Sequence, residues 1–446
     1  MTIAGHIGPR AGADGRQQRL FADAGLTRAG DGALLFGGVS VDAIARTAGT
    51  PAYVYNADAI RRRYRALTDA LAGLPHQIQY AVKANASLAV LRVLRDLGAG
   101  CDIVSTGELR RALAAGFAPE RIVFSGVGKT PEELAEACAA GIGQINVESL
   151  EELDALTAKA AAGDRRVHVG IRVNPDVTVD THPFITTGTA AAKFGIPADQ
   201  VVEAARRIAA DPSLELSGIA MHVGSQLLDP APYLKGARTL SMLVRSIRGA
   251  GILTLRSIDL GGGLGIQYDD EVPLEPATLA DTVCPVVSAL GLALHLEPGR
   301  YLVGSAGILL TTVLYRKHAG GKDFVVVDAG MNDLVRPSHY NAHHEVVVAM
   351  DRARPLKPVD VVGPICESGD FLALERRLPE VERGEILAVL GAGAYGFVMS
   401  SSYNARPRAP EILVDEGRWG VARQRETIED LMRGERPDCF DTKEGP

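Results

Sequence analysis

Eight short apolar runs recur between residues 78 and 298, each followed by a segment of helix length, and this rhythm narrows the possible folds more than any other property. The runs are Ile78–Asn85, Gly100–Ser105, Arg121–Ser125, Gln144–Glu148, His168–Asn174, Leu216–Gly224, Ser257–Gly263 and Leu292–Pro298. The intervening stretches, such as Ala59–Ala72, Leu88–Leu97, Gly107–Ala115, Pro131–Ala140, Leu150–Ala161 and Gln200–Ala210, are amphipathic and rich in Ala, Leu, Arg and Glu,. Pro131-Glu132-Glu133 makes a good first helical turn, with proline at the first position and acids near the positive end of the dipole,. Strands alternating with helices imply a parallel sheet, and eight units within about 220 residues imply a closed (β/α)8 TIM-type barrel rather than an open sheet. No sequence repeat accompanies the rhythm.

After Leu310 the pattern changes. Short β-like runs at Phe324–Val327, Glu345–Ala349, Val359–Gly363, Glu385–Leu390 and Pro410–Val414 are separated by Pro, Gly and Asp turns, which predicts a C-terminal all-β domain,. The early run Ala33–Phe36 is a candidate to join it. The expected organisation is therefore a mobile tail over 1–25, a barrel over 51–304, a β-domain built from 26–50 and 305–425, and a short helix and tail over 426–446.

Composition removes several function classes. A net charge of -7 argues against nucleic-acid or anionic-membrane partners, which want a basic surface,. No apolar run reaches the ~18 residues that a membrane span needs. Met1–Arg19 lacks the continuous apolar core of a signal peptide,. The five cysteines are scattered without CxxC spacing, so no disulfide framework or zinc site is expected and a reducing cytoplasm is the natural compartment,.

In a barrel of this type the site lies at the C-terminal ends of the strands. Those ends carry Lys83, Asp102, Ser125, Glu148, Arg172, His222, Gly261-Gly262-Gly263 and Glu297-Pro298-Gly299-Arg300. A lysine at a strand end more often snorkels to solvent. Here glycine loops follow the seventh and eighth runs, where barrels usually hold phosphate groups. A lysine facing a phosphate site suggests pyridoxal 5'-phosphate, held as a Schiff base. Glu297 would suit a protonated pyridine nitrogen. His222 could lie against the ring, although a packed core histidine is the commoner role for an isolated one.

Other motifs carry less. Gly391-Ala392-Gly393-Ala394-Tyr395-Gly396 matches G-x-G-x-x-G but has no βαβ unit after it, so dinucleotide binding is not expected,. Gly128-Lys129-Thr130 resembles the end of a P-loop, yet Val123 stands where the first glycine belongs,. His343-His344 lacks a third ligand at a familiar spacing, so no metal is expected,. Cys366, flanked by Glu367, Ser368 and Gly369, could be a small hydrophobe or a reactive thiol,.

Taken together, the stretches Tyr80–Asn85, Val104–Leu109, Ile145–Ser149, Arg172–Asp176, Thr181-His182-Pro183 and Lys193–Ile196 carry a resemblance. It continues through His222–Gln226, Gly261–Ile266, Glu297–Arg300, Asp328–Arg336, Cys366–Asp370 and Gly393–Arg406. In order, over residues 30–432, the chain resembles the diaminopimelate decarboxylases, pyridoxal-phosphate enzymes of the alanine-racemase-type barrel group. The resemblance implies decarboxylation of meso-2,6-diaminopimelate to L-lysine, with Lys83, Cys366 and His222 as catalytic residues. It implies a cofactor site of Lys83, Asp102, His222, Ser225, Gly262, Gly263, Glu297, Pro298, Gly299, Arg300 and Tyr395. Arg300, Arg336, Tyr340, Glu367 and Tyr395 would bind the substrate's distal end, and Cys366 would return a proton after carbon dioxide leaves. It further implies a homodimer with shared active sites, in which Cys366 and its neighbours come from the second subunit.

Arg336 is the most informative of these. A guanidinium binds a carboxylate bidentately, and a simpler diamino acid such as ornithine has no distal carboxylate to offer it. A decarboxylase for another carboxylated diamino acid, a non-catalytic pyridoxal-phosphate carrier and a racemase are the rival readings. The carriers on this barrel lack a β-domain, and a racemase needs two opposed bases where only Lys83 and a thiol are visible.

Overall fold

A computed structural model of the chain describes residues 15–174 and 193–437. Pro175, Asp176, Thr181-His182-Pro183 and Cys439 lie outside the described residues.

The eight apolar runs are eight parallel strands: His76–Ala81, Gly100–Ile103, Ile122–Phe124, Gln144–Val147, Val167–Asn174, Leu214–Ala220, Ser257–Asp259 and Ala293–Leu296. Each pairs in parallel with the next, and Leu294 pairs with His76 to close the ring. The strands read as near-continuous apolar runs because helices cover their outer face and the ring fills their inner one. The helices begin where local chemistry favours it. Thr130 and Glu133 form a reciprocal capping box, and the Ser105 and Ser149 hydroxyls accept the N–H of Glu108 and Glu152,.

Part of the ring interior is polar. The Gln144 amide donates to Asn146 Oδ1 at 2.7 Å and accepts from the Ser217 hydroxyl at 2.8 Å. Asn146 in turn donates to the Ser125 hydroxyl at 3.1 Å. Facing strands stay bare to make room: a Cβ on Gly170 would lie 2.0 Å from Asn146 Oδ1, and one on Gly218 2.6 Å from Gln144 Oε1.

Beyond the ring, Gly307–Ala319 runs antiparallel to Ala52–Asn56, to Lys322–Val327 and to Ile386–Val389, building the sheet-rich C-terminal part. Ala52–Asn56 also pairs with Glu411–Asp415. The expected assignment of 51–56 to the barrel is therefore corrected. Its five residues are all buried because the strand lies inside this second sheet, and an inner strand of either sheet looks alike in sequence. Leu34–Phe36 forms its own three-stranded sheet with Leu26–Arg28 and Val39–Ser40, packed onto the same core as Ile308, Leu310 and Ile412.

The mobile tail expected over 1–25 is corrected for its described part. Gly15–Ala24 is a helix that buries Leu20 and Ala24. Ion pairs hold it: Arg16 to Asp269 and Glu345, and Asp23 to Arg63. Charge contacts at this distance in sequence leave no periodic apolar signal. No described helix is long and apolar enough to cross a membrane.

Candidate active site

The first strand stops at Ala81, and Lys83 sits in a short 3-10 turn, Val82–Ala84, not on the strand itself. Polar bonds fix that turn. Asn85 donates to Gly393 O at 3.0 Å, and the Tyr80 hydroxyl donates to Asn85 O at 2.9 Å. The Tyr395 N–H donates to Ala84 O at 2.8 Å, tying the C-terminal part to the lysine turn. The Lys83 ammonium points into a cavity of about 650 Å³ at the C-terminal ends of the strands.

Lys83 Nζ lies 2.7 Å from Asp102 Oδ2 at the end of the second strand. Burial opposes its charge, but Asp102, Glu297 and Tyr395 outweigh that and hold the amine above the ordinary lysine range,. Asp102 is fully buried, and its Oδ1 has no hydrogen-bond partner among the described residues.

His222 follows the sixth strand. Its Nδ1 accepts the Gly262 N–H at 3.2 Å. Burial, with the positive charges of Arg172 and Lys83, pushes its pKa down to about 3. The ring is thus neutral, with its proton on Nε2.

Glu297, at the end of the eighth strand, is held well above the carboxylate range by burial and by Asp102 and Asp259. Asp259, from the seventh strand, is pushed up to about 7 by burial, although it accepts the Gly261 N–H at 2.7 Å. Buried acids this close resist ionising together, so a cation brought against Glu297 would be strongly favoured. Asp259 was not expected from the sequence; no motif marks it.

Ser225, Gly262, Gly263 and Gly299 line the same cavity. The N–H groups of Gly263, Gly299 and Arg300 donate to no acceptor among the described residues. Three unpartnered donors beside a serine hydroxyl form a cradle for an anion such as phosphate. Pro298 backs the cradle, its carbonyl accepting the Ala81 N–H at 3.3 Å. The donor set, the neutral histidine and the acid pair together fit pyridoxal 5'-phosphate.

Arg300, Arg336, Tyr340 and Tyr395 also line the cavity. Tyr395 has φ of 56°, a left-handed conformation uncommon outside glycine, which turns its ring toward Arg300 at 5.0 Å,. The close-packed neighbour Gly393 permits this, since a Cβ there would lie 1.9 Å from Val303 O. The G-x-G-x-x-G stretch thus shapes a turn that presents a tyrosine.

Neither buried arginine has an acidic partner among the described residues. Both donate to one oxygen, the Tyr268 hydroxyl, at 2.7 Å from Arg300 and 2.8 Å from Arg336. Tyr268 was also not singled out in the sequence; its one signal was its position just after the glycine loop Gly261–Gly265. His343 meets Asp269 and Glu345, and His344 donates from Nδ1 to Leu390 O at 2.8 Å while its Nε2 accepts from Arg336.

Two expected residues are not brought to the cavity within one chain. Cys366 and Glu367 are exposed on the surface, where the Cys366 N–H donates to Asn404 at 2.8 Å and Glu367 bonds the Tyr403 hydroxyl.

Comparison with known proteins agrees with the geometry. Residues 57–304 match the family described as "Pyridoxal-dependent decarboxylase, pyridoxal binding domain". A diaminopimelate decarboxylase of Pseudomonas aeruginosa is 48% identical over 405 residues, covering 91% of this chain and 97% of its own. One from Aquifex aeolicus is 46% identical over 408 residues, 90% of this chain and 95% of its own. Among solved structures, the Helicobacter pylori diaminopimelate decarboxylase complexed with L-lysine superposes with a TM-score of 0.85 at 39% identity, covering 88% of this chain and 98% of that one. The lysine/ornithine decarboxylase of Vibrio vulnificus, at 23% identity and a TM-score of 0.75, shares the fold.

Proposed function

The chain belongs to the diaminopimelate decarboxylase family of pyridoxal-dependent decarboxylases, and from that premise we propose how its residues convert meso-2,6-diaminopimelate to L-lysine and carbon dioxide. The reaction is the last step of bacterial lysine biosynthesis. The bound cofactor supplies an electron sink for the pair left when the carboxylate departs.

Lys83 would anchor the cofactor aldehyde through its amine, and Asp102 accepts a hydrogen bond from that amine. The N–H groups of Gly263, Gly299 and Arg300, with the hydroxyls of Ser225 and Tyr395, would hold the cofactor's anionic end. Glu297 would hold the ring nitrogen, as a carboxylate against a protonated ring, with Asp259 buried beside it. Neutral His222 lines the same cavity and would face the ring without competing for its charge.

The two buried arginines carry the substrate assignment. Placing two guanidiniums in a cavity with no acidic partner among the described residues is unfavourable unless an anion enters. The distal carboxylate of diaminopimelate is such an anion, whereas ornithine lacks one and lysine loses its own only as the reacting group. Tyr340 and Tyr395 complete that end. Cys366 returns a proton to the carbon that lost carbon dioxide, and Glu367 pairs with the distal ammonium. Their position on the surface of one chain supports a homodimer in which each reaches the partner's cavity. The cytoplasm is the compartment that suits the exposed thiol.

The test is product analysis. The purified chain carrying its cofactor should release carbon dioxide and L-lysine in equal amounts from meso-2,6-diaminopimelate. Release from L-lysine, L-ornithine or carboxynorspermidine in its place would refute the substrate assignment.

A further inference from the structure

The two arginines are close in space, alike in charge and buried, at 8% and 6% exposure. Such a pair repels, and burial together with the Arg300 charge lowers the Arg336 pKa,. A single phenol bridges them directly. Tyr268 accepts one N–H from each fork, lies under the Arg336 guanidinium at 4.8 Å, and is itself buried at 7% exposure. The ring is braced by His344, edge to face at 5.4 Å. Its loop is closed by Glu271, which accepts the N–H groups of Tyr268 and Asp269 at 3.1 and 2.6 Å. Arg336 Nη1 also meets His344 Nε2 at 3.3 Å, and the other N–H groups of the two forks can address a further acceptor from the cavity that both side chains line.

We propose that Tyr268 is a positioning residue that sets selectivity for the distal carboxylate, by bridging Arg300 and Arg336 so that both forks address one carboxylate. Without the hydroxyl the guanidiniums have no common acceptor and separate. The proposal deepens the substrate reading above and rests on it.

The experiment compares two ligands of the cofactor-loaded enzyme, L-lysine and cadaverine, which differ only in the carboxylate. Binding is followed by the shift of the cofactor's visible band. Wild type should prefer L-lysine; equal affinity there would overturn the arginine reading itself, before Tyr268 is considered. Tyr268→Phe keeps the ring and removes the oxygen. It should weaken L-lysine roughly 10- to 100-fold, the range for hydrogen bonds to charged groups, and leave cadaverine within about twofold. Tyr268→Gln, whose carbonyl can accept from both forks, should recover most of the preference for L-lysine, and it keeps the test open should the Phe variant fold poorly. A preference left intact in Tyr268→Phe, or equal weakening of both ligands in either variant, overturns the proposal.

Discussion

Lys129→Met tests how the cavity wall is supported. Lys129 is buried, with its side chain only 1% exposed, and its ammonium serves three acceptors. These are Glu152 at 2.6 Å and the carbonyls of Gly126 and Asn146, both at 2.7 Å. Glu152 in turn accepts the Glu148 N–H at 3.1 Å, and Glu148 takes the Gly126 N–H and the Arg172 guanidinium, each at 2.7 Å. One ammonium therefore ties the loops after the third and fourth strands, beside the cavity. Methionine fills similar space and supplies no donor, so a carboxylate and two carbonyls lose their partner. Breaking one side of a buried pair costs roughly 3–5 kcal/mol. At the usual unfolding entropy per residue that lowers Tm by ~4 °C if the whole chain melts as one unit, or ~8 °C if the barrel melts alone. Differential scanning calorimetry of the cofactor-loaded protein reads the shift. The loss should shrink as pH falls, because burial already raises the Glu152 pKa and without Lys129 it takes up a proton more readily,. Lys129→Met combined with Glu152→Gln should recover at least ~1 kcal/mol, since the stranded charge is gone. A Tm within ~1 °C of wild type, or a double variant no better than the single, would show that Lys129 does not hold these two loops together.

Three further outcomes are expected. Cys366→Ala should slow turnover roughly 100-fold or more while leaving the cofactor's visible band in place; unchanged turnover would remove the proton-donor role. Mixing Cys366→Ala with Lys83→Ala under subunit exchange should restore activity toward about a quarter of wild type, because random pairing gives one intact site in half the dimers; no recovery would contradict shared sites. His295, half-buried in the eighth strand, has its pKa pushed down to about 4 by loss of water around it and by Arg121, so the unfolded chain binds a proton more readily below the ordinary histidine value,. Its contribution to stability is present above pH ~6.5 and lost as pH falls toward 4, up to ~3 kcal/mol. His295→Gln should flatten the acid limb of Tm against pH, and an unaltered limb would show that His295 does not titrate in that range.

The barrel was legible because each of its strands is buried on both faces and each helix shows an amphipathic stripe. The same logic misplaced Ala52–Asn56, since an inner strand of the second sheet is equally apolar. Gly307–Ala319 was not picked out as a strand, and its second half, Tyr315–His318, is exposed and mostly charged or polar. The helix Gly15–Ala24 left almost no signal, being held by ion pairs to residues hundreds of positions away. In the site, Lys83, Glu297 and Arg300 stand in recognisable local strings. Asp259 and Tyr268 do not: one reads as a strand residue and the other as an aromatic after a turn. Their importance arises from what folding places beside them, a second carboxyl for Asp259 and two guanidiniums for Tyr268. Cys366 and Glu367 are the converse case, legible by resemblance yet outside the cavity of a single chain.

Lys83 is the proposed anchor of the cofactor. Borohydride reduction of the loaded enzyme fixes a pyridoxyl group to whichever amine holds it, and peptide mass analysis locates that amine. The label is expected on the peptide containing Lys83, with the visible band lost in Lys83→Ala. A label on Lys129, Lys193 or Lys235, or a visible band retained in Lys83→Ala, would show that another amine holds the cofactor.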